Sequence, residues 1–170
     1  GRDRGSSMKP SADLMRVAQE LSRELLALDS ASRDVESAGY FRNAYGKYWR
    51  TATFDRLVAL YREVIDLAPD DLERNAARYA LAALFKNGLV LHAAAQECET
   101  LIKARPARAY ADQNLLAFIE ARRGDLARAK ELARIVNANP EASSFHVDEA
   151  ELEREYEAGR DDPPQSDRRT

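Results

Sequence analysis

Apolar residues recur along this chain at the spacing of amphipathic helices. One stripe contains Leu14, Ala18, Leu21, Leu25 and Leu28. Residues three and four positions apart lie on the same face of a helix, so this stripe predicts a helix with one buried side. No segment sustains the alternation of polar and apolar residues that is typical of a strand. The pattern therefore predicts an all-α protein.

Proline, glycine and aspartate interrupt the helical pattern at regular intervals. The breaks lie at Pro69-Asp70-Asp71, Asn87-Gly88, Arg105-Pro106, Arg123-Gly124-Asp125 and Asn139-Pro140. They divide the chain into helices with short links, and short links make consecutive helices antiparallel. We therefore expect a series of helical hairpins.

Three of the predicted helix ends are alike. Each has two adjacent aliphatic residues and then, four residues later, a proline, and these prolines (Pro69, Pro106 and Pro140) are 37 and 34 residues apart. Superposing the prolines aligns three sets of residues on one helix face: Val58, Ala95 and Ala129; Tyr61, Cys98 and Leu132; and Ile65, Ile102 and Val136. Glycine or alanine stands at 46, 80 and 117 in the preceding helices. The small residues predict close contact between paired helices.

This helix–turn–helix unit of about 34 residues resembles the tetratricopeptide repeat, or TPR. The best match runs from Leu116-Ala117 through Gly124-Asp125 to Pro140, whereas the middle unit lacks the Gly-Asp turn and the first has Thr53-Phe54-Asp55 there. The resemblance implies a right-handed α-solenoid of antiparallel helix hairpins, with units at about 39–69, 72–106 and 108–140. An ordinary helical bundle with chance similarity is the alternative.

The two ends of the chain complete the predicted domain organisation. A single domain over 8–158 has capping helices at about 11–28 and 147–158, because the end units of a stack need caps. Residues 1–7 look like a disordered leftover of cloning before a natural start at Met8. The polar residues 159–170, which include two prolines, predict a disordered tail.

Composition excludes several classes of protein. Of the 170 residues, 45% are hydrophobic and 32% charged, with a net charge of −3, which gives no global attraction to nucleic acid. No apolar run approaches the length of a membrane span, so we expect no membrane insertion. The single cysteine excludes an intrachain disulfide. The amphipathic start after Met8 predicts a cytoplasmic protein.

Candidate catalytic groups are sparse. The two histidines, His92 and His146, have no recognisable nucleophile partner, and the sequence has no glycine-rich phosphate loop. His146 and Glu149 are three residues apart, but a histidine at a helix start beside a solvated acidic face explains this spacing better than a metal. Cys98 aligns with Tyr61 and Leu132, which predicts a buried packing residue. We therefore expect no enzyme activity, no metal and no cofactor.

The TPR resemblance also implies a binding surface. In TPR proteins the first helix of each pair lines a concave groove that holds an extended peptide or a partner helix. Carried over to this chain, the groove residues are Tyr40, Asn43, Lys47, Arg50, Arg74, Arg78, Asn114, Phe118 and Arg122. Asn43 and Asn114 occupy equivalent positions, and an asparagine amide can both donate to and accept from a peptide backbone.

Most of the remaining polar groove positions are cationic. We therefore predict a non-enzymatic protein–protein interaction module that binds an acidic or amphipathic segment of another protein. The alternative is that the arginines form a solvated face paired with nearby acids. A structural protein that assembles with copies of itself, as a homodimer or larger, is the second functional hypothesis. An enzyme or ligand sensor needs a closed polar pocket, which an open solenoid rarely has.

The C-terminal region is strongly acidic. From Glu141 to Asp162 there are nine acidic residues against Arg154 and Arg160, a net charge of −7. A helix of this charge could lie on a basic groove, either its own or that of a neighbouring copy. A polar capping helix is the other interpretation.

Overall fold

The computed structural model describes residues 10–35 and 52–161, with side chains described for 10–25 and 54–161. These residues form seven α-helices: α1 (Pro10–Val35), α2 (Ala52–Leu67), α3 (Asp71–Asn87), α4 (Leu91–Ala104), α5 (Tyr110–Arg123), α6 (Leu126–Asn137) and α7 (Glu149–Asp161). Two short 3₁₀ helices lie at Pro106–Arg108 and Pro140–Phe145. No strand occurs in the described ranges, which confirms the all-α prediction for them.

The helices end at the predicted breaks. Pro69, Gly88, Pro106, Gly124 and Pro140 all lie just outside the α-helices that precede them. Proline cannot continue a helix, and Gly124 adopts the left-handed conformation that commonly ends one. The prolines and glycines of the sequence therefore predicted where these helices end.

The turns from α3 to α4 and from α5 to α6 have the same hydrogen bonds. Gly124 has φ 105°, and the N–H of Asp125 donates to the carbonyl of Glu120 at 2.8 Å. Leu89 takes the equivalent left-handed position with φ 62°, and the N–H of Val90 donates to the carbonyl of Phe85 at 2.8 Å. Both are Schellman turns. The middle turn thus forms without the Gly-Asp pair.

The described residues divide into two compact units on either side of the Leu81–Ala82 bond, which lies inside α3. In the first unit α1 packs against α2. Ala18 and Leu25 are buried on α1. Burial raises the pKa of Tyr61 on α2, and a hydrogen bond with Ser22 of α1 partly offsets that rise. The buried residues of α2 follow helical spacing: Phe54, Leu57, Leu60, Tyr61 and Val64.

Helix α5 is central to the second unit. It packs against α4, α6 and α7, and α6 also packs against α7. The side chains that α5 buries lie on several sides of the helix: Asp112, Leu115, Leu116, Ala117, Ile119, Glu120 and Ala121. A helix buried on several sides is typical of the middle of a helical layer. Residues on α5 are therefore positioned by all three neighbouring helices.

The two helices predicted as caps have different bounds in the structure. Helix α1 extends to Val35 instead of ending near Leu28. Helix α7 begins at Glu149 instead of 147 and ends at Asp161 instead of Ala158. No helix in the described ranges is both long enough and apolar enough to cross a bilayer.

Candidate protein-binding face

The predicted groove residues fall into three groups. Tyr40, Asn43, Lys47 and Arg50 lie outside the described residues. Arg74 and Arg78 belong to the first unit, and Asn114, Phe118 and Arg122 belong to the second. Each group is therefore described by itself, and the groove as a whole stays a prediction.

In the first unit, Arg74 binds the end of the preceding helix. Its guanidinium donates to the carbonyl of Ile65 at 3.3 Å and to that of Ala68 at 3.0 Å, and it also pairs with Asp71. The last carbonyls of a helix have no partner inside the helix, so these contacts cap α2. Arg78, one turn further along α3, is half-buried.

In the second unit, Asn114 and Arg122 lie on one face of α5, and both contact the C-terminal segment, which we define as residues 145–161. The side-chain amide of Asn114 donates to the main-chain carbonyl of Phe145 at 2.7 Å. Arg122 forms an ion pair with Glu155 of α7 at 2.8 Å. Phe118, between them, lies 5.8 Å from the ammonium of Lys86. Two predicted groove residues thus hold a peptide backbone and a carboxylate of their own chain.

Asn137, near the end of α6, makes a further backbone contact that the sequence analysis missed. Its amide nitrogen donates to the carbonyl of Val147 at 2.8 Å, and its amide oxygen accepts from the N–H of Val147 at 2.7 Å. His146 lies between Phe145 and Val147 and has φ −59° and ψ 145°, an extended conformation. The segment 145–147 is therefore held through its main chain by asparagines of two helices. The sequence signal that could have identified Asn137 is its position in the last turn of a helix, shortly before a proline.

A second ion pair joins α6 to α7. The ammonium of Lys130 donates to a carboxylate oxygen of Glu153 at 2.7 Å. This hydrogen bond is the main reason that the pKa of Lys130 lies above its ordinary value. Asn114, Arg122, Lys130 and Asn137 together bind the C-terminal segment, and we call this surface the α5–α6 face.

Apolar packing completes the contact. Val147 and Leu152 are buried, and Leu152 is the one large side chain that α7 buries completely. A Cβ atom on Gly159 would lie 2.2 Å from the carbonyl oxygen of Arg122, which is closer than two such atoms approach. Glycine at 159 therefore permits the close approach of α7 to α5.

A polar cluster fixes the connection that leads into the C-terminal segment. The side-chain oxygen of Asn139 accepts from the N–H of Glu141 at 2.8 Å, and its amide donates to the hydroxyl of Tyr110. The Nε2 atom of His146 donates to the carbonyl of Asn139 at 2.9 Å. His146 thus has a backbone partner, and it lies between the end of the 3₁₀ helix and the start of α7 at Glu149.

The structure shows the surroundings of Cys98 and of the side chains that could bind a metal. Cys98 is buried, as predicted for a packing residue. Burial, and then the nearby carboxylates beginning with Asp112, raise the pKa of the Cys98 thiol far above its ordinary value. A thiol held in its neutral form is a poor nucleophile. Within the part of the chain that the structure describes, no three His, Cys, Asp or Glu side chains come together as metal ligands would.

Comparison of the chain with protein-family models, with curated proteins and with solved structures gives no match. The TPR resemblance accordingly stays a prediction from the residues quoted for it.

Proposed function

We propose that this protein is a non-enzymatic protein-binding module, built as a TPR-like stack of helix hairpins, that binds acidic or amphipathic segments of other proteins. The observation that carries the proposal is the α5–α6 face. There, one asparagine of the predicted groove donates to a peptide carbonyl, and one arginine pairs with a carboxylate of an acidic helix. These are the contacts that such a module would make with a partner.

Two features of the second unit favour a repeat. Leu89 and Gly124 stand 35 residues apart and hold equivalent places in two Schellman turns. The aligned residues Ala95 and Ala129 are both buried, as are Cys98 and Leu132. A shared turn geometry at this separation is expected when hairpins repeat along a chain.

Charge complementarity favours an acidic partner. The α5–α6 face presents Arg122 and Lys130 to two glutamates of α7. Matching charge at an interface speeds association and selects the sign of the partner. Main-chain recognition by asparagine adds affinity that is independent of the partner's side chains.

A selection from displayed peptides with the intact chain tests this function. We expect enrichment of acidic, amphipathic sequences that bind saturably in fluorescence anisotropy. Changing Lys47 and Arg122 together to Glu should weaken binding by tenfold or more, since it reverses two predicted groove charges. Selection of no acidic class, or equal binding by that double variant, would contradict the proposal.

Arg56→Glu is the matched control. Arg56 is exposed on α2, which is the second helix of its predicted pair and so lies outside the groove list. This variant should bind the selected peptides as the parent chain does. Light scattering over a range of protein concentrations addresses self-assembly: a stable oligomer without peptide binding would favour the structural hypothesis instead.

A further inference from the structure

We infer that the C-terminal segment is a replaceable occupant of the α5–α6 face, and that the partner segment that replaces it has the same chemistry: an extended stretch followed by an acidic amphipathic helix. This inference rests on the proposed function and specifies its ligand. It assigns to residues 145–161 the role of a built-in competitor.

The part of the ligand that precedes its helix is recognised through its main chain. Asn114 and Asn137 contact the carbonyls of Phe145 and Val147 and the N–H of Val147, whereas the Phe145 side chain is exposed. Many side chains therefore fit at 145, but proline does not fit at 147 because it has no N–H to donate. The buried Val147 side chain favours an aliphatic residue there.

The helical part of the ligand has a defined pattern. Counting from Val147, a buried leucine follows after five residues, acids that reach Lys130 and Arg122 after six and eight, and glycine after twelve. The glycine is required by the 2.2 Å approach to the Arg122 carbonyl. This spacing describes a partner segment closely enough to search for.

The attachment of α7 is suited to exchange. Of its thirteen residues, only Leu152 and Gly159 are buried. Its ion pairs are partly solvated: Glu155 is 26% exposed and Glu153 is 54% exposed. Water and salt compete with such contacts, so a segment in trans can compete as well.

Covalent tethering explains why the segment nevertheless occupies the face. A tethered ligand has an effective concentration in the millimolar range for short links, so a free peptide binds the parent chain more weakly than it binds a chain whose tethered copy is weakened. Weakening the tethered copy alone should therefore expose the face to a ligand in trans. Glu153 and Glu155 belong to the ligand side, and their replacement leaves Asn114, Arg122 and Asn137 unchanged.

The experiment measures binding of a fluorescent synthetic peptide of residues 141–161 to the full chain. The Glu153→Lys/Glu155→Lys chain should bind this peptide at least tenfold more tightly than the parent chain. Glu157→Lys is the matched control, because Glu157 is exposed and pairs with Arg160 of its own helix. It should leave binding at the parent level.

Two further variants locate the site. Adding Arg122→Gln to the double variant should weaken binding of the parent peptide at least tenfold, and a peptide with proline in place of Val147 should not bind. Circular dichroism establishes that each chain is folded. If Glu153→Lys/Glu155→Lys does not fold, the milder Glu155→Gln chain takes its place, with a smaller increase in affinity expected.

Failure of the inference differs from failure of the proposed function. If a folded ligand-side variant does not bind the 141–161 peptide while selected acidic peptides bind the parent chain, α7 is a fixed cap and the inference is wrong. If no peptide binds any chain, the proposed function fails too. Equal binding by the double variant and by Glu157→Lys would also overturn the inference, since the gain would then come from charge alone.

Discussion

The two ends of α5 are each held by an arginine–carboxylate pair, but the two pairs differ in burial and geometry. At the start of the helix, Arg105 donates twice to Asp112, at 3.0 and 2.8 Å; Asp112 is fully buried and Arg105 is 25% exposed. At the end, the ion pair of Arg122 with Glu155 at 2.8 Å leaves the two side chains 15% and 26% exposed. Two hydrogen bonds to a buried carboxylate fix one geometry, whereas a single contact with a partly solvated carboxylate exchanges with water. The start of α5 thus belongs to the permanent core, and its end belongs to a surface that can change partner.

Removing the buried pair should have the largest effect on stability. We expect Asp112→Ala to lower the free energy of unfolding by about 3 kcal/mol, because it removes a fully buried carboxylate that accepts two hydrogen bonds from Arg105. Urea unfolding followed by circular dichroism measures the change. Glu131→Ala, on the exposed side of α6, is the control and should stay within about 0.5 kcal/mol of the parent. A similar small loss for both variants would show that the pair does not fix α5.

Filling the close contact at the other end should have the next largest effect. Gly159→Ala places a Cβ atom 2.2 Å from a backbone oxygen, so α7 has to move away from α5. We expect a loss of about 2 kcal/mol in unfolding free energy, as for other overpacked contacts. Alanine is the better helix former by about 1 kcal/mol, so a gain in stability would mean that this contact is absent.

The pH dependence of the unfolding free energy tests the burial of the Cys98 thiol near Asp112. Its pKa is raised by burial and by Asp112, so the folded chain retains a proton that the unfolded chain loses above the ordinary thiol value of 9.0. Stability from this group is therefore complete below about pH 8 and falls as the pH rises through 9.0, by about 1.4 kcal/mol per unit above that value. At pH 10 the parent chain should have lost about 1.4 kcal/mol more than Cys98→Ala, measured by urea unfolding of both chains at pH 7 and 10. Parallel losses in the two chains would contradict the assignment.

The smallest effect is expected for the solvated pair. A double-mutant cycle with Arg122→Gln and Glu155→Gln should give a coupling energy of about 0.5 kcal/mol, which falls further when salt screens the charges. The same cycle at Arg105 and Asp112 should give a larger energy that responds little to salt. Equal coupling energies and equal salt dependence at both ends would remove the distinction between them.

Local signals in the sequence predicted the helices and their ends. Proline and glycine act on the backbone within a residue or two, so Pro106, Gly124 and Pro140 could be interpreted without tertiary structure. Asp125 likewise caps α6, accepting from the N–H of Arg128 at 3.0 Å. The left-handed conformation of Leu89 had no such signal, because the packing of a buried leucine outweighs the local preference for glycine there.

The candidate site was only partly predictable. Asn114 was proposed as a backbone-binding residue from its helix position, but the identity of the backbone, residues of its own chain, depends on tertiary packing. Asn137 and Gly159 were missed for the same reason, since their roles arise only when α7 lies against α5 and α6. The binding role of residues in the first predicted unit, such as Lys47, stays a prediction that the peptide-binding experiments test.

Native-state hydrogen–deuterium exchange on the intact chain tests most directly whether the C-terminal segment can be replaced. Helix α7 buries one large side chain, Leu152, worth about 2 kcal/mol, and its remaining side-chain contacts are half-buried or exposed. Its amides should therefore exchange through a local opening, at least tenfold faster than the buried amides of α5 and faster still at high salt. Exchange of α7 and α5 at one common rate, through unfolding of the whole unit, would show that α7 is a permanent part of the core.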